Sequence, residues 1–420
     1  MESLLRTARK LIPKKLFALL QPSYHLALAF ISALVYRFPS RHIKVVGITG
    51  TKGKTSTAEL ASRILEAGGY KTALAGTLRF KIGNQEEPNL FKMTMPGRFF
   101  VQRFIRKAVR AKCDWVVLEM TSEGAKQSRH RFIELDALIF TNLSPEHIES
   151  HGSYENYVAA KLLLAKALER SSKHARSIIV NDDDKEGKRF LSVNVPRKFP
   201  YHLRDVGYTL TDDGTELAFH GEKITSPLRG IFNIYNIMAA ATFGISQNIS
   251  PQHIKKGVES VKVIRGRAEK IDAGQPFSVF VDYAHTPDSL RALYEAFEGK
   301  KKICVLGNTG GGRDTWKRPA MGALAEQFCA HVILTNEDPY DEDPNRIIED
   351  VAGGMKQKPR IIFDRREAIH TALTLAETGD VVLITGKGTD PYIMEANGKK
   401  TPWSDARVTR EELGKLTQKN

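Results

Sequence analysis

Cysteine is scarce in this chain, with three in 420 residues, at Cys113, Cys304 and Cys329. Three scattered thiols make neither a disulfide framework nor a four-thiolate zinc site, so a reducing interior is the expected compartment. Glycine, at 32 residues without period, is too sparse for a collagen-like chain, and a hydrophobic share of 41% is too high for disorder. Acidic residues are nearly missing from the first 41 positions. Glu2 stands against Arg6, Arg9, Lys10, Lys14, Lys15, Arg37 and Arg41, a surplus of six within a net charge of +15.

Positions 16–36 hold no Asp, Glu, Lys or Arg, a length sufficient in principle for a hydrocarbon core of about 30 Å, but Gln21, Pro22, Ser23 and His25 interrupt the run. No small-residue cleavage site precedes the next strand, which argues against a signal peptide. An apolar stretch with basic flanks suits a helix lying on an anionic membrane surface, and equally a helix that packs on the protein. Zinc-finger spacing, an aromatic RNA-binding run and a basic heptad helix are all absent, so no specific nucleic-acid partner is expected.

At roughly 100–200 residues per domain, the length suggests two or three domains. Apolar, β-branched runs at 43–49, 115–120, 137–142, 177–181, 277–283, 302–307, 331–335 and 381–385 alternate with helical stretches. That alternation predicts an α/β fold of parallel sheets with helical crossovers. The more polar stretch 206–223 reads as a small antiparallel hairpin, and the turn-rich 265–275 as a domain boundary.

The strand IKVVGIT runs into Gly50, Thr51, Lys52, Gly53, Lys54, Thr55 and Ser56, and then into the helical pattern TAELASRILEAGG. Glycines let backbone N–H groups turn toward phosphate oxygens, the helix N-terminus adds its dipole, Lys54 supplies a charge and the Thr55 hydroxyl can ligate Mg²⁺. The general G-x-x-x-x-G-K-[ST] pattern fails, because Ile48 stands five before Gly53; the variant G-T-x-G-K-T remains.

GTKGKTS resembles the ATP-binding loop of the Mur ligases, and six further blocks follow in order. Glu119-Met120-Thr121-Ser122 with Arg129 resembles the E-V-S-S…R element of the MurE-type members. FTNLSPEH, ending at His147, continues through His151-Gly152 to Tyr157 and Lys161. GIFNIYN carries Asn233 and Asn236, and Gly266-Arg267-Ala268-Glu269 resembles G-R-x-E. Asp282-Tyr283-Ala284-His285-Thr286-Pro287-Asp288 matches D-Y-A-H-T-P-D, and the run from Gly307 to Gly322 matches G-x-x-G-x-R-D-x-x-K-R-P-x-M-G.

The resemblance implies a leader at 1–42, a central P-loop-type parallel-sheet ATPase domain at 43–268 and a Rossmann-like C-terminal domain at 269–420. It implies a carbon–nitrogen ligase that uses ATP to activate a carboxylate as an acyl phosphate, which an amine then attacks. Thr55, Glu119, His147 and Lys161 would hold two Mg²⁺ ions, with Lys161 carbamylated, since a carbamate offers hard anionic oxygens where an ammonium would repel the cations. Lys54, His147, Lys161, Asp282 and His285 would serve catalysis. The loop 50–56, Asn233, Asn236, Arg267, Arg313 and Lys317 would bind the nucleotide; Thr94, Ser122, Arg129, Asp338, Tyr340, Lys387 and Asp390 would bind substrate.

Four departures bear on that substrate. The phosphate loop begins at Gly50, leaving no room before it for the family's uridine-binding domain. The T-T-P loop reads Thr94-Met95-Pro96, D-N-P-R reads Glu337-Asp338-Pro339-Tyr340, and G-K-G-H-E reads Gly386-Lys387-Gly388-Thr389-Asp390. The expected reaction adds an amino acid to a muramyl-peptide precursor of peptidoglycan, in the cytoplasm, with peripheral membrane association through 1–42 at the inner face. A lipid-linked donor, a folylpolyglutamate- or cyanophycin-like acid, and a non-ligase P-loop protein at a membrane surface stay open.

Overall fold

The computed structural model describes residues 14–146, 148–312 and 314–417; His147 and Arg313 lie outside the described residues. Helix α1 (Lys14–Val35) leads into strand β1 (Lys44–Thr49), the phosphate loop and α2 (Lys54–Ala67). Around β1 the chain builds an eight-stranded sheet from β2 (Thr72–Ala75), β3 (Arg79–Ile82), β4 (Gln85–Pro88), β5 (Trp115–Glu119), β6 (Ala137–Phe140), β7 (Ser177–Asn181) and β8 (Arg197–Tyr201). The order is β4-β3-β2-β5-β1-β6-β7-β8. From β2 to β8 all pairs are parallel, while β3 and β4 form an antiparallel edge.

Alternation along β1 explains why the sheet is covered on both faces. Val46 and Ile48 enter one core with α2, α5 (Ile231–Ser246) and α6 (Pro251–Glu259), whereas Val45 enters the other with α3 (Arg98–Arg110) and α4 (Tyr154–Glu169). Burial on both faces selects the continuous apolar runs seen in the sequence. The stretch read as a hairpin is a three-stranded antiparallel sheet of β9 (Tyr208–Thr211), β10 (Gly214–Phe219) and β11 (Glu222–Ser226).

A second sheet has the order β12-β13-β17-β14-β15-β16, from β12 (Glu269–Ile271), β13 (Ser278–Val281), β14 (Lys302–Leu306), β15 (His331–Leu334), β16 (Arg360–Ile361) and β17 (Val381–Ile384). It is parallel except at β12. Cys304 and Leu306 point to α7 (Pro287–Glu295) and α8 (Lys317–Phe328), and Ile303 and Val305 point to the opposite core. Thr286 caps α7 by accepting from Ser289 N, with Pro287 at the first helical position. The T-P-D part of the D-Y-A-H-T-P-D block is therefore a helix start.

The cysteines and the N-terminal apolar stretch take these forms. Cys304 on β14 and Cys329 at the end of α8 are joined in a disulfide, because strand and helix end side by side with Cα atoms 6.2 Å apart; only Cys113 is free. Among the described residues no helix is long and apolar enough to cross a membrane. Instead α1, with Pro22 inside it, packs on α3. It buries Ala29, Ser32 and Ala33 and leaves Tyr24, Leu26, Phe30, Ile31, Leu34 and Val35 exposed.

Candidate active site

The site forms at the carboxyl ends of β1, β5 and β6, where parallel sheets bind ligands. Gly53 caps α2 at φ +81°, and a Cβ there would lie 2.2 Å from Asn236 Oδ1 on α5. Only glycine meets both demands. Gly53→Ala is expected to weaken ATP binding about 100-fold in a nucleotide titration, whereas Gly69→Ala costs only about 1–2 kcal/mol of backbone strain, its φ of +89° lying in open space.

The Lys54 side chain curls back over the loop, donating to Gly50 O and Thr51 O at 2.9 Å each. Thr55 Oγ1 donates to Glu119 Oε2 at 3.0 Å, and Glu119 also accepts from Thr77 N at 2.7 Å and Thr77 Oγ1 at 2.9 Å. Thr77 in turn lies 3.0 Å from Thr94 Oγ1, so the predicted metal pair and the substrate loop are two hydrogen bonds apart. Ser56 is buried at the edge of the cavity beside the loop, and Lys52 N donates to Asn142 Oδ1 at 2.9 Å.

Lys161 reaches the loop from α4 and donates to Gly50 O at 2.7 Å. It is 2% exposed. Burial, reinforced by the Lys54 charge, holds its pKa well below the ordinary lysine value; burial also lowers that of Lys54. Among the described residues no carboxylate forms an ion pair with Lys161, and no three His, Cys, Asp or Glu side chains are grouped to hold a metal. The predicted metal set fits that result only in its own terms: Thr55 and Glu119 offer hard oxygens, His147 lies outside the described residues, and Lys161 would need the carbamate.

Beside the loop lies a cavity of about 420 Å³ lined by Lys52, Gly53, Asn236, Arg267, Asp282 and Tyr283 among others. Asn236 Nδ2 donates to Asn233 Oδ1 at 3.0 Å, and Asn233 Nδ2 donates to Arg229 O. Asn236 thus fronts the cavity while Asn233 orients it. Arg267 stacks over the Tyr283 ring at 4.6 Å.

Both Asp282 oxygens accept backbone N–H groups, from Ala268 and Ala284, each at 2.6 Å. These bonds fix the end of the strand, and Asp282, expected from the sequence to serve catalysis, lines the cavity beside the loop. His285 Nδ1 donates to Tyr283 O, and Nε2 lies 3.0 Å from Glu146 Oε1. Burial, with Lys52 second, lowers the His285 pKa to about 4 against the pull of Glu146. Lys52 Nζ donates to the same Glu146 oxygen at 3.0 Å. Glu146 was passed over in the sequence, where it precedes the more conspicuous His147; a buried carboxylate shared by Lys52 and His285 gives it a structural role in joining the two sheets. Lys317 is buried and its pKa lowered by that burial.

The remaining substrate candidates form two groups. Ser122 Oγ lies 3.2 Å from His151 Nε2, and Arg129 bonds Met95 O, beside Thr94. Across the cleft, Lys387 Nζ donates to Asp338 Oδ1 at 2.7 Å, and Lys92 Nζ reaches Asp338 Oδ2 at 2.9 Å and Asp390 Oδ2 at 3.0 Å. These cations hold the Asp338 pKa below its ordinary value, with Lys387 the largest of them, against the opposing effect of burial. Tyr340 sits at φ +52° with its N–H bonded to Met394 O. Lys92 carried no sequence signal, lying in an ordinary-looking NLFKM loop.

The model of the Mur ligase middle domain matches residues 48–244, and that of the Mur ligase glutamate ligase domain matches 266–388. A UDP-N-acetylmuramoyl-L-alanyl-D-glutamate–2,6-diaminopimelate ligase of Syntrophomonas wolfei is 37% identical over 410 residues, covering 93% of this chain and 82% of the relative. A UDP-N-acetylmuramyl-tripeptide synthetase of Roseiflexus is 36% identical over 435 residues, covering 95% and 84%. A solved diaminopimelate ligase superposes with TM-score 0.61 at 27% identity, covering 89% of this chain and 79% of that one. The Mycobacterium tuberculosis folylpolyglutamate synthase superposes at 0.70 with 16% identity, covering 86% and 92%, a likeness of fold. With its phosphate loop, strand-end glutamate and loop-facing lysine in this order and geometry, the chain belongs to the Mur ligase family, ATP-dependent ligases that form carbon–nitrogen bonds.

Proposed function

We propose that this ligase adds an amino acid to a muramyl-peptide precursor of peptidoglycan, with ATP held between a central domain at 43–268 and a C-terminal domain at 269–420. The observation that carries the reading is Lys161, buried against Gly50 O of the phosphate loop 2.7 Å away. Its lowered pKa favours the neutral amine, the form that takes up CO₂ as a carbamate. Thr55, Glu119, His147 and carbamylated Lys161 would hold two Mg²⁺ ions, which supply charge neutralisation to the phosphates. Lys54 steadies the γ-phosphate, Asn236 and Arg267 orient the nucleotide, and Thr94, Ser122 and Arg129 position the donor carboxylate. Asp338, Tyr340, Lys387 and Asp390 receive the amino acid.

The names of the relatives support the muramyl-peptide donor. Screening amino acids against nucleotide-linked and lipid-linked muramyl dipeptides should give ADP release only when donor and amine are both present. Release independent of either would leave an ATPase in place of the ligase.

The exposed apolar face of α1, beside a basic N-terminal segment, supports a cytoplasmic enzyme that touches the inner membrane surface, where a lipid-linked donor would be presented. With Ile31→Glu and Leu34→Glu, both at exposed positions, the full chain should sediment less with anionic liposomes; unchanged sedimentation would discard membrane contact through this face.

A further inference from the structure

The loop between β4 and α3 crosses the cleft with one side chain, Lys92. Asn89 shapes that loop: its Nδ2 donates to Gly76 O at 2.9 Å and Met93 O at 3.1 Å, and its Oδ1 accepts from Phe91 N at 3.0 Å. The turn leaves Lys92 at φ +50°, a left-handed conformation that a residue with a Cβ keeps where its surroundings hold it there. Leu90, Phe91 and Met93 stand exposed, whereas the lysine side chain among them is 15% exposed.

The ammonium has three N–H groups, and three oxygens that follow β15 and β17 receive them. Asp338 Oδ2 lies at 2.9 Å, Asp390 Oδ2 at 3.0 Å and Tyr392 O at 3.5 Å. Burial opposes the charge on Lys92, but Asp390 and Asp338 outweigh it and raise the pKa above the ordinary lysine value. Asp338 has a second cation in Lys387 at 2.7 Å, while Lys387 stands 3.8 Å from Asp390 Oδ2, so Lys92 is the nearer of the two to Asp390. With both lysines the two carboxylates are neutralised. Without Lys92 the group keeps one negative charge, which would repel the carboxylate of an incoming amino acid.

On the other side of the cleft, two residues along the same loop, Thr94 bonds Thr77, and Thr77 bonds Glu119. A line of contacts therefore runs from the strand-end glutamate through Thr77, Thr94 and Lys92 to Asp390.

We propose that Lys92 is a positioning residue whose ion pairs with Asp338 and Asp390 fasten the Thr94 loop to the amino-acid subsite, setting donor and acceptor against each other and cancelling the surplus negative charge there. The inference rests on the donor and acceptor assignments above and adds the contact that joins them. Misplacing one reactant relative to the other is costly, because the reaction depends on their mutual geometry.

Hydrogen exchange of the ligand-free full chain tests the fastening without any substrate. Backbone amides of 89–95 should exchange about 10-fold faster in Lys92→Met than in the parent, with protection partly restored in Lys92→Arg, which keeps the charge; equal exchange in the parent and Lys92→Met overturns the proposal. In turnover, Lys92→Met should lower kcat/KM for the amino acid about 100-fold, with partial recovery in Lys92→Arg, and leave the calorimetric Kd for ATP as in the parent. An unchanged kcat/KM, or a loss matched by an equal loss of ATP affinity, overturns it. Asp390→Asn should cost less when added to Lys92→Met than it costs alone, since the pair is already broken; strictly additive losses overturn the proposal. Faster exchange of 89–95 in Lys92→Met, with a parent chain that turns over no muramyl donor, would uphold the fastening and reject the donor reading.

Discussion

Lys161→Ala is expected to lower ADP release about 1,000-fold, with partial recovery in millimolar formate or acetate, the small carboxylates that fit the space vacated by a carbamate. Full activity of the variant would remove the carbamate from the account. The prediction has a stability counterpart. A fully buried lysine with a depressed pKa binds fewer protons when folded than the ordinary value of 10.5 gives it when unfolded. The unfolded chain therefore gains the proton through this window, and folding stability contributed by this group rises with pH from the depressed value up to 10.5. Lys161→Met, which fills the volume without a charge, should unfold at a higher temperature than the parent chain and show a weaker pH dependence over that window. Its Gly50 O partner stays satisfied, since Lys54 donates to the same oxygen at 2.9 Å.

Glu119→Gln is expected to lower turnover about 100-fold or more at fixed Mg²⁺ and to raise the Mg²⁺ concentration needed for half-maximal rate. The carboxylate lies at the end of β5, 2% exposed, with one oxygen on Thr55 and Thr77 hydroxyls and the other on Thr77 N–H. Three donors fix its plane, so the neutral isostere keeps the shape while removing the charge a hard cation requires. A Cβ at Gly76 would stand 2.4 Å from Glu119 Oε1, so glycine at that position leaves the space the carboxylate occupies. The chain should remain folded, and an unchanged Mg²⁺ dependence would take Glu119 out of the metal set.

Much of this architecture was legible because parallel strands buried on both faces write themselves as uninterrupted apolar runs, as in 177–181 and 302–306, matching β7 and β14. The antiparallel edge was not: β4 is QEEP, four exposed residues whose pairing follows from β3 and carries no pattern of its own. Likewise, the disulfide joins residues 25 apart that strand-to-helix packing brings together.

At the site, residues inside dense motifs were found, since a glycine loop or D-Y-A-H-T-P-D announces itself by composition. Residues acting across the fold were missed. Lys92 meets Asp338 from 246 positions away, and Glu146 meets His285 from 139. Asp282 was conspicuous in sequence, but the two backbone N–H groups its oxygens accept come from the folded turn and carry no sequence signal.

The central claim is that ATP activates a carboxylate as an acyl phosphate. It is tested most directly by supplying a muramyl-peptide donor labelled with ¹⁸O in its reacting carboxyl group and analysing the phosphate released during amide formation. The carboxylate oxygen that attacks the γ-phosphorus leaves with it when the amine expels phosphate, so one ¹⁸O should appear in each phosphate and the other in the amide carbonyl. Amide product accompanied by unlabelled phosphate would contradict the mechanism.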